Sequence, residues 1–355
     1  MKTPHNPARC APELAGTPGH AHQHAQIPAR PMSRRSVMKA LAASTVAVGV
    51  GTALGASSAA AAGALTPTAA APGRGGAKLV PANRIGIQLF TLRDKVSSVG
   101  FRTVFEELSA MGYSEVEFAG YTQGNVGAIT PAEIRTLLDD NGLRAVGTHV
   151  STTLFRTDLA NQIDIAHTLG MPHLGTGNAP TNDATKEGYL AAAEEWNGWG
   201  EQVTAAGLKL YQHNHDGEFR FDPVDPSVRL YDVFYDNTDP NLVFLEMDIY
   251  WAYVGQHKYP GFEPIDYILR NPRRYPLLHL KDGKANEAAA NGYDIIEFGA
   301  GDLPYQSFLS QLRTRGQHFG LYEQDNASST AVPPNPLDSF GNAARSYDAI
   351  AGLRG

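Results

Sequence analysis

The chain has almost no cysteine. Cys10 is the only one, and it lies near the N-terminus, upstream of every predicted strand. A disulfide, a zinc site made of thiolates and a cysteine nucleophile are therefore all excluded from the folded part of the chain. A Gly-x-Gly-x-x-Gly turn is also missing after each early strand, which argues against a dinucleotide-binding domain.

Positive charge is scarce as well. The formal net charge is −7, and residues 1–62 hold six lysines and arginines but one acid, so the rest of the chain carries about −12. Proteins that bind nucleic acids need lysine and arginine to neutralise phosphates. We therefore expect no nucleic-acid partner.

One long apolar run occurs, from Ala40 to about Leu54, and it follows the twin-arginine pattern Ser-Arg-Arg-Ser-Val-Met-Lys that begins at Ser33. Small residues follow, with a cleavage site expected near 60–63. This order predicts a twin-arginine signal peptide over 32–62, read by the twin-arginine export machinery, and a secreted or periplasmic protein. The run is short and interrupted by glycine and serine, so we expect no stable membrane anchor.

The residues around the signal are predicted to lie outside the fold. Residues 1–31 are rich in His, Pro and Ala without periodicity, and Met32 stands directly before the signal, so they form a disordered or untranslated extension. Residues 63–80 are rich in Thr, Pro, Ala and Gly and read as a linker.

Residues 81–355 are long enough for one α/β barrel domain. Short apolar runs alternate there with segments of helical periodicity, such as Phe101, Val104, Phe105 and Leu108. The predicted strands cover 84–89, 114–118, 144–149, 172–176, 208–213, 242–248, 277–281 and 320–323. Eight such units favour an α/β fold of the (β/α)8 TIM barrel type, with a doubly wound open sheet as the alternative.

The last four predicted strands end in metal-compatible side chains: His213, Asp248, His279 and Glu323. The carboxyl ends of parallel barrel strands open onto one mouth, so these side chains can converge. Burying a carboxylate after an apolar run is costly unless a cation or hydrogen bonds compensate. We predict one divalent metal, Mn²⁺ first and Co²⁺, Fe²⁺, Zn²⁺ or Mg²⁺ as alternatives. Structural hydrogen bonding or helix capping is the competing explanation.

Further polar residues lie at or near strand ends. His215 follows His213 by two positions, Lys281 follows His279 by two, and His149 closes strand three. With Glu323 they are the candidate catalytic residues. The candidate substrate-binding residues are Gln88, Glu117, Glu218 and Trp251.

At these positions the sequence resembles the xylose-isomerase-like TIM barrel superfamily, specifically its sugar phosphate isomerase/epimerase group, which includes tagatose/psicose epimerases and inosose enzymes. The similarity runs from about Ile85 to Leu353, and its markers include His-Asn-His-Asp-Gly-Glu-Phe from 213, Glu-Met-Asp-Ile-Tyr-Trp-Ala from 246 and Leu-His-Leu-Lys-Asp from 278. The resemblance implies a single divalent metal that polarises a sugar carbonyl, and it assigns Asp248, His279 and Glu323 as ligands.

The resemblance breaks at the first ligand, where the family has a glutamate and this chain has His213. One of two carboxylate bases is thereby lost, which suits isomerisation, dehydration or β-elimination at least as well as two-base epimerisation. We expect a metal-dependent isomerase, epimerase or lyase that acts on a sugar or keto-sugar, such as a 3-keto-glycoside, through a metal-stabilised enediolate.

Two alternatives stay open at this point. The chain could be a carbohydrate-binding or partner subunit with weakened chemistry, and His215 could replace His213 as the fourth ligand. A homo-oligomer is compatible with the sequence, and the sequence does not name the sugar.

Overall fold

A computed structural model describes residues 76–355. The predicted extension 1–31, the signal 32–62 and most of the predicted linker lie outside the described residues. The last five residues of the linker, 76–80, pack onto the domain: Lys78 pairs with Arg354, and Leu79 and Val80 are buried.

The domain is built on eight parallel strands in one sheet. The strands of the described residues are, in chain order, β1 (Ile85–Gln88), β2 (Glu115–Phe118), β3 (Arg144–Thr148), β4 (His173–Thr176), β5 (Lys209–His213), β6 (Val243–Asp248), β7 (Leu277–Leu280), β8 (Asp282–Ala285), β9 (Tyr293–Ile296) and β10 (Phe319–Tyr322). The order across the sheet is β3-β2-β1-β10-β7-β6-β5-β4. A single bridge between His149 and Gly175 joins the two outer strands, with Val150 N donating to Gly175 O at 2.9 Å. The predicted (β/α)8 barrel is confirmed, and the open sheet is excluded because the strand order returns on itself.

Helices cover the outside of the barrel. They are α1 (Arg93–Met111), α2 (Pro131–Asn141), α3 (Thr152–Leu169), α4 (Lys186–Ala205), α5 (Leu230–Asn237), α6 (Ile249–Lys258), α7 (Pro264–Arg270), α8 (Tyr305–Ser310) and α9 (Ser339–Gly352). Within residues 76–355, none of them combines the length and the apolar character that a bilayer crossing requires.

Helix α2 shows how local sequence determines where a helix begins and which face it buries. Thr130 and Glu133 cap its first turn reciprocally, and Pro131 stands at the first helical position, where a missing N–H is harmless. Ile134, Leu137 and Leu138, which recur at helical spacing, are buried. Capping and periodicity therefore agree, and the helix forms where the pattern places it.

Two regions differ from the sequence prediction. Helix α1 begins eight residues before its predicted apolar face, and it is broken at Gly100, which has φ of 80°. Between β7 and α8 the chain forms an antiparallel hairpin, β8–β9, where helical material was expected. The carboxylate of Asp282 holds this hairpin by accepting from the N–H groups of Gly283, Gly299 and Gly301.

The barrel interior is divided by height. An apolar cluster of Val146, Tyr211, Leu277 and Leu321 fills the middle of the barrel. Inward residues recur every second position along a strand, so the next inward residues are polar: His213 after Tyr211, His279 after Leu277 and Glu323 after Leu321. The alternation thus places a layer of polar side chains next to the apolar cluster, towards the carboxyl ends of the strands.

Candidate metal centre

The four predicted metal ligands converge at the mouth of the barrel. One ligand atom from each of His213, Asp248, His279 and Glu323 lies within 4.8 Å of all the others. Each residue is at most 5 % exposed. We call these four residues the outer set.

The spacing in the outer set fits a shared ion. Oδ2 of Asp248 is 3.9 Å from Nε2 of His213 and 3.9 Å from Nδ1 of His279. Ligand atoms about 2.1 Å from one ion lie about 3 to 4 Å from each other. Oδ2 of Asp248 is buried and accepts no hydrogen bond from the residues that the structure describes, a deficit that a bound cation relieves. Two imidazoles and two carboxylates suit a divalent transition metal.

Lys281 brings positive charge to the same place. Its ammonium is 2.8 Å from Oε2 of Glu323, 3.0 Å from Oδ2 of Asp248 and 3.0 Å from Oδ1 of Asp325. The contact with Asp248 is an ion pair without hydrogen-bond geometry. Burial lowers the pKa of Lys281, but the three carboxylates outweigh it and hold that pKa well above its usual value. Lys281 is therefore a charged counter-ion of two outer-set carboxylates.

A second pair of carboxylates lies deeper in the barrel. Glu117 on β2 and Glu246 on β6 are fully buried, and we call them the inner glutamates. Nε2 of His149 is 2.7 Å from Glu246 and 3.3 Å from Glu117. Nε2 of His279 is 2.7 Å from Glu117 and 3.2 Å from Glu246. The two imidazoles thus bridge the inner glutamates from opposite sides.

Sequence reasoning missed Glu246. It lies two residues before Asp248 on the same strand, so alternation turns both side chains to the barrel interior. That two-residue spacing is the signal that could have found it.

Electrostatics of the site favour a cation. Burial, assisted by the neighbouring His279 and His149, lowers the pKa of His213 well below its usual value, which keeps it in the neutral form that binds metals. Burial raises the pKa of Asp248 to about 6, although Lys281 opposes the shift. Five carboxylates surround these groups: Glu117, Glu246, Asp248, Glu323 and Asp325. Burial lowers the pKa of Lys281, His149 and His279, but the carboxylates outweigh it and hold each pKa above its usual value. His279 must therefore release a proton to bind a metal, which leaves the carboxylates in excess over the cationic side chains.

A cavity of about 430 Å³ opens above the outer set. The predicted residues His149, His213, His215 and Glu323 line it, together with Asp325 and Asn178. This volume is in the range of small-molecule sites. Strand β5 ends at His213, so His215 lies in the following loop, with its ring centre 5.0 Å from that of His213.

The other predicted residues lie behind or beneath the described cavity wall. Gln88 is fully buried, and its Oε1 accepts from Phe90 N at 3.2 Å. Glu218 is buried and accepts from His215 N at 3.1 Å, and burial raises its pKa to about 7. The ring of Trp251 packs 5.5 Å from that of His215. Glu218 and Trp251 thus support the loop that carries His215.

Solved structures share the fold. A sugar phosphate isomerase/epimerase from Parabacteroides distasonis aligns over 77 % of this chain and 96 % of its own, with 20 % identity and a TM-score of 0.60. The probable 3-DHS dehydratase involved in petrobactin synthesis from Bacillus anthracis aligns over 75 % and 98 %, with 12 % identity and a TM-score of 0.55. A xylose isomerase-like TIM barrel protein from Mycobacterium smegmatis, in complex with magnesium, aligns over 76 % and 96 %, with 16 % identity and a TM-score of 0.52.

Comparison with curated protein sequences finds no match. A family model does match, over residues 105–339, and its description is xylose isomerase-like TIM barrel. The matched range begins in α1 and reaches the start of α9, and it contains the whole outer set. Because this match spans well over half of a chain that folds as the expected barrel, the protein belongs to the xylose isomerase-like TIM barrel family.

Proposed function

We propose that the protein is a divalent-metal-dependent sugar isomerase, epimerase or carbon–oxygen lyase, with a keto-sugar such as a 3-keto-glycoside as substrate. The outer set carries this proposal: two imidazoles and two carboxylates from four strands surround one point beneath a cavity. The excess of buried carboxylates is the supporting electrostatic argument, since isolated buried charges are costly. The P. distasonis and B. anthracis relatives, described as an isomerase/epimerase and a dehydratase, are compatible with either outcome.

His213, Asp248, His279 and Glu323 would hold the metal. When bound, the metal supplies Lewis-acid polarisation of a substrate carbonyl. Glu323 lines the cavity wall, so its carboxylate is placed to take the proton from the carbon next to that carbonyl. Removal of this proton gives an enediolate. Glu323, which then carries the proton, is placed to return it or to protonate a departing group. His215 lies on the same wall, and burial lowers its pKa to about 4, so it is a neutral imidazole placed to accept a proton as the alternative base.

The choice between the reactions depends on the second base. Where the family has a glutamate, His213 offers a neutral imidazole whose Nδ1 already faces Glu246 at 3.1 Å. A pair of carboxylates, one to remove a proton from one face of the carbon and one to deliver a proton to the opposite face, is therefore replaced by Glu323 alone. This asymmetry favours isomerisation or loss of a β-substituent over epimerisation.

Export through the twin-arginine pathway is part of the proposal. It rests on the pattern in 32–62, and it fits a substrate met outside the cytoplasm. The measurement is the size and location of the mature protein, with an Arg34→Lys, Arg35→Lys variant as control.

The test of function uses purified mature protein whose metal content has been measured. It is incubated in D₂O with 3-keto-glycosides and with the matching unoxidised glycosides, and the products are identified by NMR. We expect one substrate C–H to exchange with solvent or one β-substituent to depart, with 3-keto-glycosides alone. If the products contain no deuterium and have lost no substituent, the enolisation mechanism is wrong. Stoichiometric binding of a glycoside without turnover would instead support a carbohydrate-binding subunit.

A further inference from the structure

We propose that the inner glutamates, Glu246 and Glu117, are positioning residues that fix the rings of His213 and His279 so that each presents its outward nitrogen to the metal. This inference rests on the proposed function, because it assumes that a metal occupies the outer set. Neither glutamate touches the cavity wall formed by the described residues, so the proposed action passes through the histidines.

Among the described residues, one hydrogen bond orients the ring of His213. Its Nδ1 lies 3.1 Å from Oε2 of Glu246, and a carboxylate accepts, so Nδ1 carries the hydrogen. Nε2 is then left with its lone pair directed to the outer side, where Oδ2 of Asp248 stands 3.9 Å away. The contact with Glu246 thus selects the tautomer that a metal requires.

The ring of His279 follows the same rule with its nitrogens exchanged. Nε2 donates to Oε2 of Glu117 at 2.7 Å. Nδ1 faces the outer set, 2.9 Å from Oε2 of Glu323, and it releases its hydrogen when a metal binds. A metal in the outer set would therefore meet Nε2 of His213 and Nδ1 of His279.

The inner glutamates are themselves held rigidly. Tyr211 donates its hydroxyl to Glu117 and to the backbone carbonyl of Thr148. Its ring lies against Gly147 and Gly175, where an added Cβ would overlap the ring. Nε2 of His149 contacts Oε1 of Glu117 and Oε2 of Glu246. Oε1 of Glu246 accepts no hydrogen bond from the residues that the structure describes, and Nε2 of His279 lies 3.2 Å from it. A carboxylate behind a ligand histidine typically sets metal affinity by about 10- to 100-fold.

One other arrangement uses the same residues. His149, His213, Glu246 and His279 also lie within 4.8 Å of one another and could themselves surround an ion. In the structure the three histidines already contact the inner glutamates, although Oε1 of Glu246 accepts no hydrogen bond from the described residues. We therefore assign this group to support of the outer set, and the alternative becomes an outcome of the test.

The first measurement is the dissociation constant for Mn²⁺, by competition with a fluorescent chelator, in the wild-type protein and in Glu246→Gln and Glu117→Gln. We expect each variant to bind about 10- to 100-fold more weakly.

Glu115→Gln is the matched control, because Glu115 is a buried carboxylate on the same strand as Glu117 but pairs with Arg144. The affinity of this variant for Mn²⁺ should stay within about twofold of wild type. Asp248→Ala serves as the reference for a lost ligand. Binding lost as completely in Glu246→Gln as in that reference would overturn the proposal, since Glu246 would then be a ligand.

The second measurement needs no metal. Long-range ¹H–¹⁵N NMR of the histidine rings in the metal-free protein should show His213 with its hydrogen on Nδ1, and Glu246→Gln should mix or reverse that tautomer. If wild-type protein binds no Mn²⁺, the proposed function fails, and the tautomer result still decides the positioning role. A His213 tautomer that is unchanged in Glu246→Gln overturns the proposed positioning role of Glu246. Should Glu246→Gln fail to fold, Glu117→Gln still tests the positioning role through its dissociation constant for Mn²⁺.

Discussion

Nζ of Lys281 lies 2.8 Å from Oε2 of Glu323, so a lysine is paired with a carboxylate that the proposed metal would also use. The same ammonium approaches Asp248, the second carboxylate of the outer set. A divalent ion in the outer set and a charged lysine at this distance repel each other. Metal binding must therefore draw these carboxylates away from Lys281, which then has Asp325 as its remaining partner.

The first prediction follows from this competition. Lys281→Met should lower the stability of the metal-free protein by about 3 to 5 kcal/mol, because removing one partner of a buried ion pair leaves uncompensated charge. The same change should tighten Mn²⁺ binding. Urea unfolding with and without Mn²⁺ measures both effects.

Lys284→Met is the control, because Lys284 forms an exposed pair with Asp302. It should change stability by less than about 1 kcal/mol. Weaker Mn²⁺ binding in Lys281→Met would show that the lysine supports the metal.

The second prediction concerns the ligands. Asp248→Ala and His279→Ala should each abolish metal retention while the barrel stays folded, as measured by metal content per chain and circular dichroism. Asp248 also caps α6, since its Oδ1 accepts from Trp251 N at 2.9 Å, so Asp248→Ala costs about 1 kcal/mol of stability as well. Asp248→Asn keeps an acceptor there and separates the two effects. Full metal occupancy in the alanine variants would remove these residues from the ligand set.

The third prediction tests the departure from the family pattern. His213→Glu alone should be destabilising, because it places a carboxylate beside Glu246, where Nδ1 of His213 now stands 3.1 Å away. The double variant His213→Glu, Glu246→Gln should recover stability and bind metal, and its product distribution should shift towards epimerisation. A double-mutant cycle of unfolding free energies quantifies the coupling. Additive effects, with unchanged metal content and products, would mean that His213 is not a ligand and that His215 is the better candidate.

The fourth prediction concerns pH and a histidine that does not belong to the outer set. Burial lowers the pKa of His173 to about 4, from 6.5 in an unfolded chain, although its hydrogen bond to Val146 O opposes the shift. The unfolded state therefore binds the proton more tightly, and stability falls as pH drops from about 6.5 towards 4. Between pH 7 and pH 5 this one group should cost about 2 kcal/mol. In His173→Gln, which retains an N–H donor, that part of the pH dependence should disappear from urea unfolding curves. If the wild-type protein and His173→Gln lose equal stability between pH 7 and pH 5, the pH dependence comes from other groups.

Strand ends were the part of the site that the sequence could predict. Asp248 and His279 stand out because each is polar beside apolar neighbours that must be buried, and barrel geometry brings strand ends together whatever lies between them. The same reasoning identified Gln88 and Glu117 as strand-end residues but assigned both to the substrate. The structure places them inside the barrel instead, because strand tilt decides the height of each inward side chain, and tilt is not visible in one sequence.

The inner layer could not be predicted, for a related reason. Glu246 can be buried because His149, His213 and His279 approach it from three other parts of the barrel. Seen alone, it is a polar interruption of an apolar run. The hairpin β8–β9 was also missed, since its strands have four residues each and are tied by Asp282 to distant glycines. Both features depend on long-range partners rather than on local pattern.

The bridge at His149 gives the seam of the barrel an unusual role. Strands β3 and β4 are joined there by one bridge, while the other neighbouring strands share at least three paired positions. The residue at that bridge, His149, is one of the two whose imidazoles contact both inner glutamates. Any local opening of the seam would therefore carry His149 away and loosen the glutamates together with the rings they orient. Amide hydrogen exchange at Val150, whose N–H closes the seam, should accordingly report on the integrity of the site, slowing when a metal is bound.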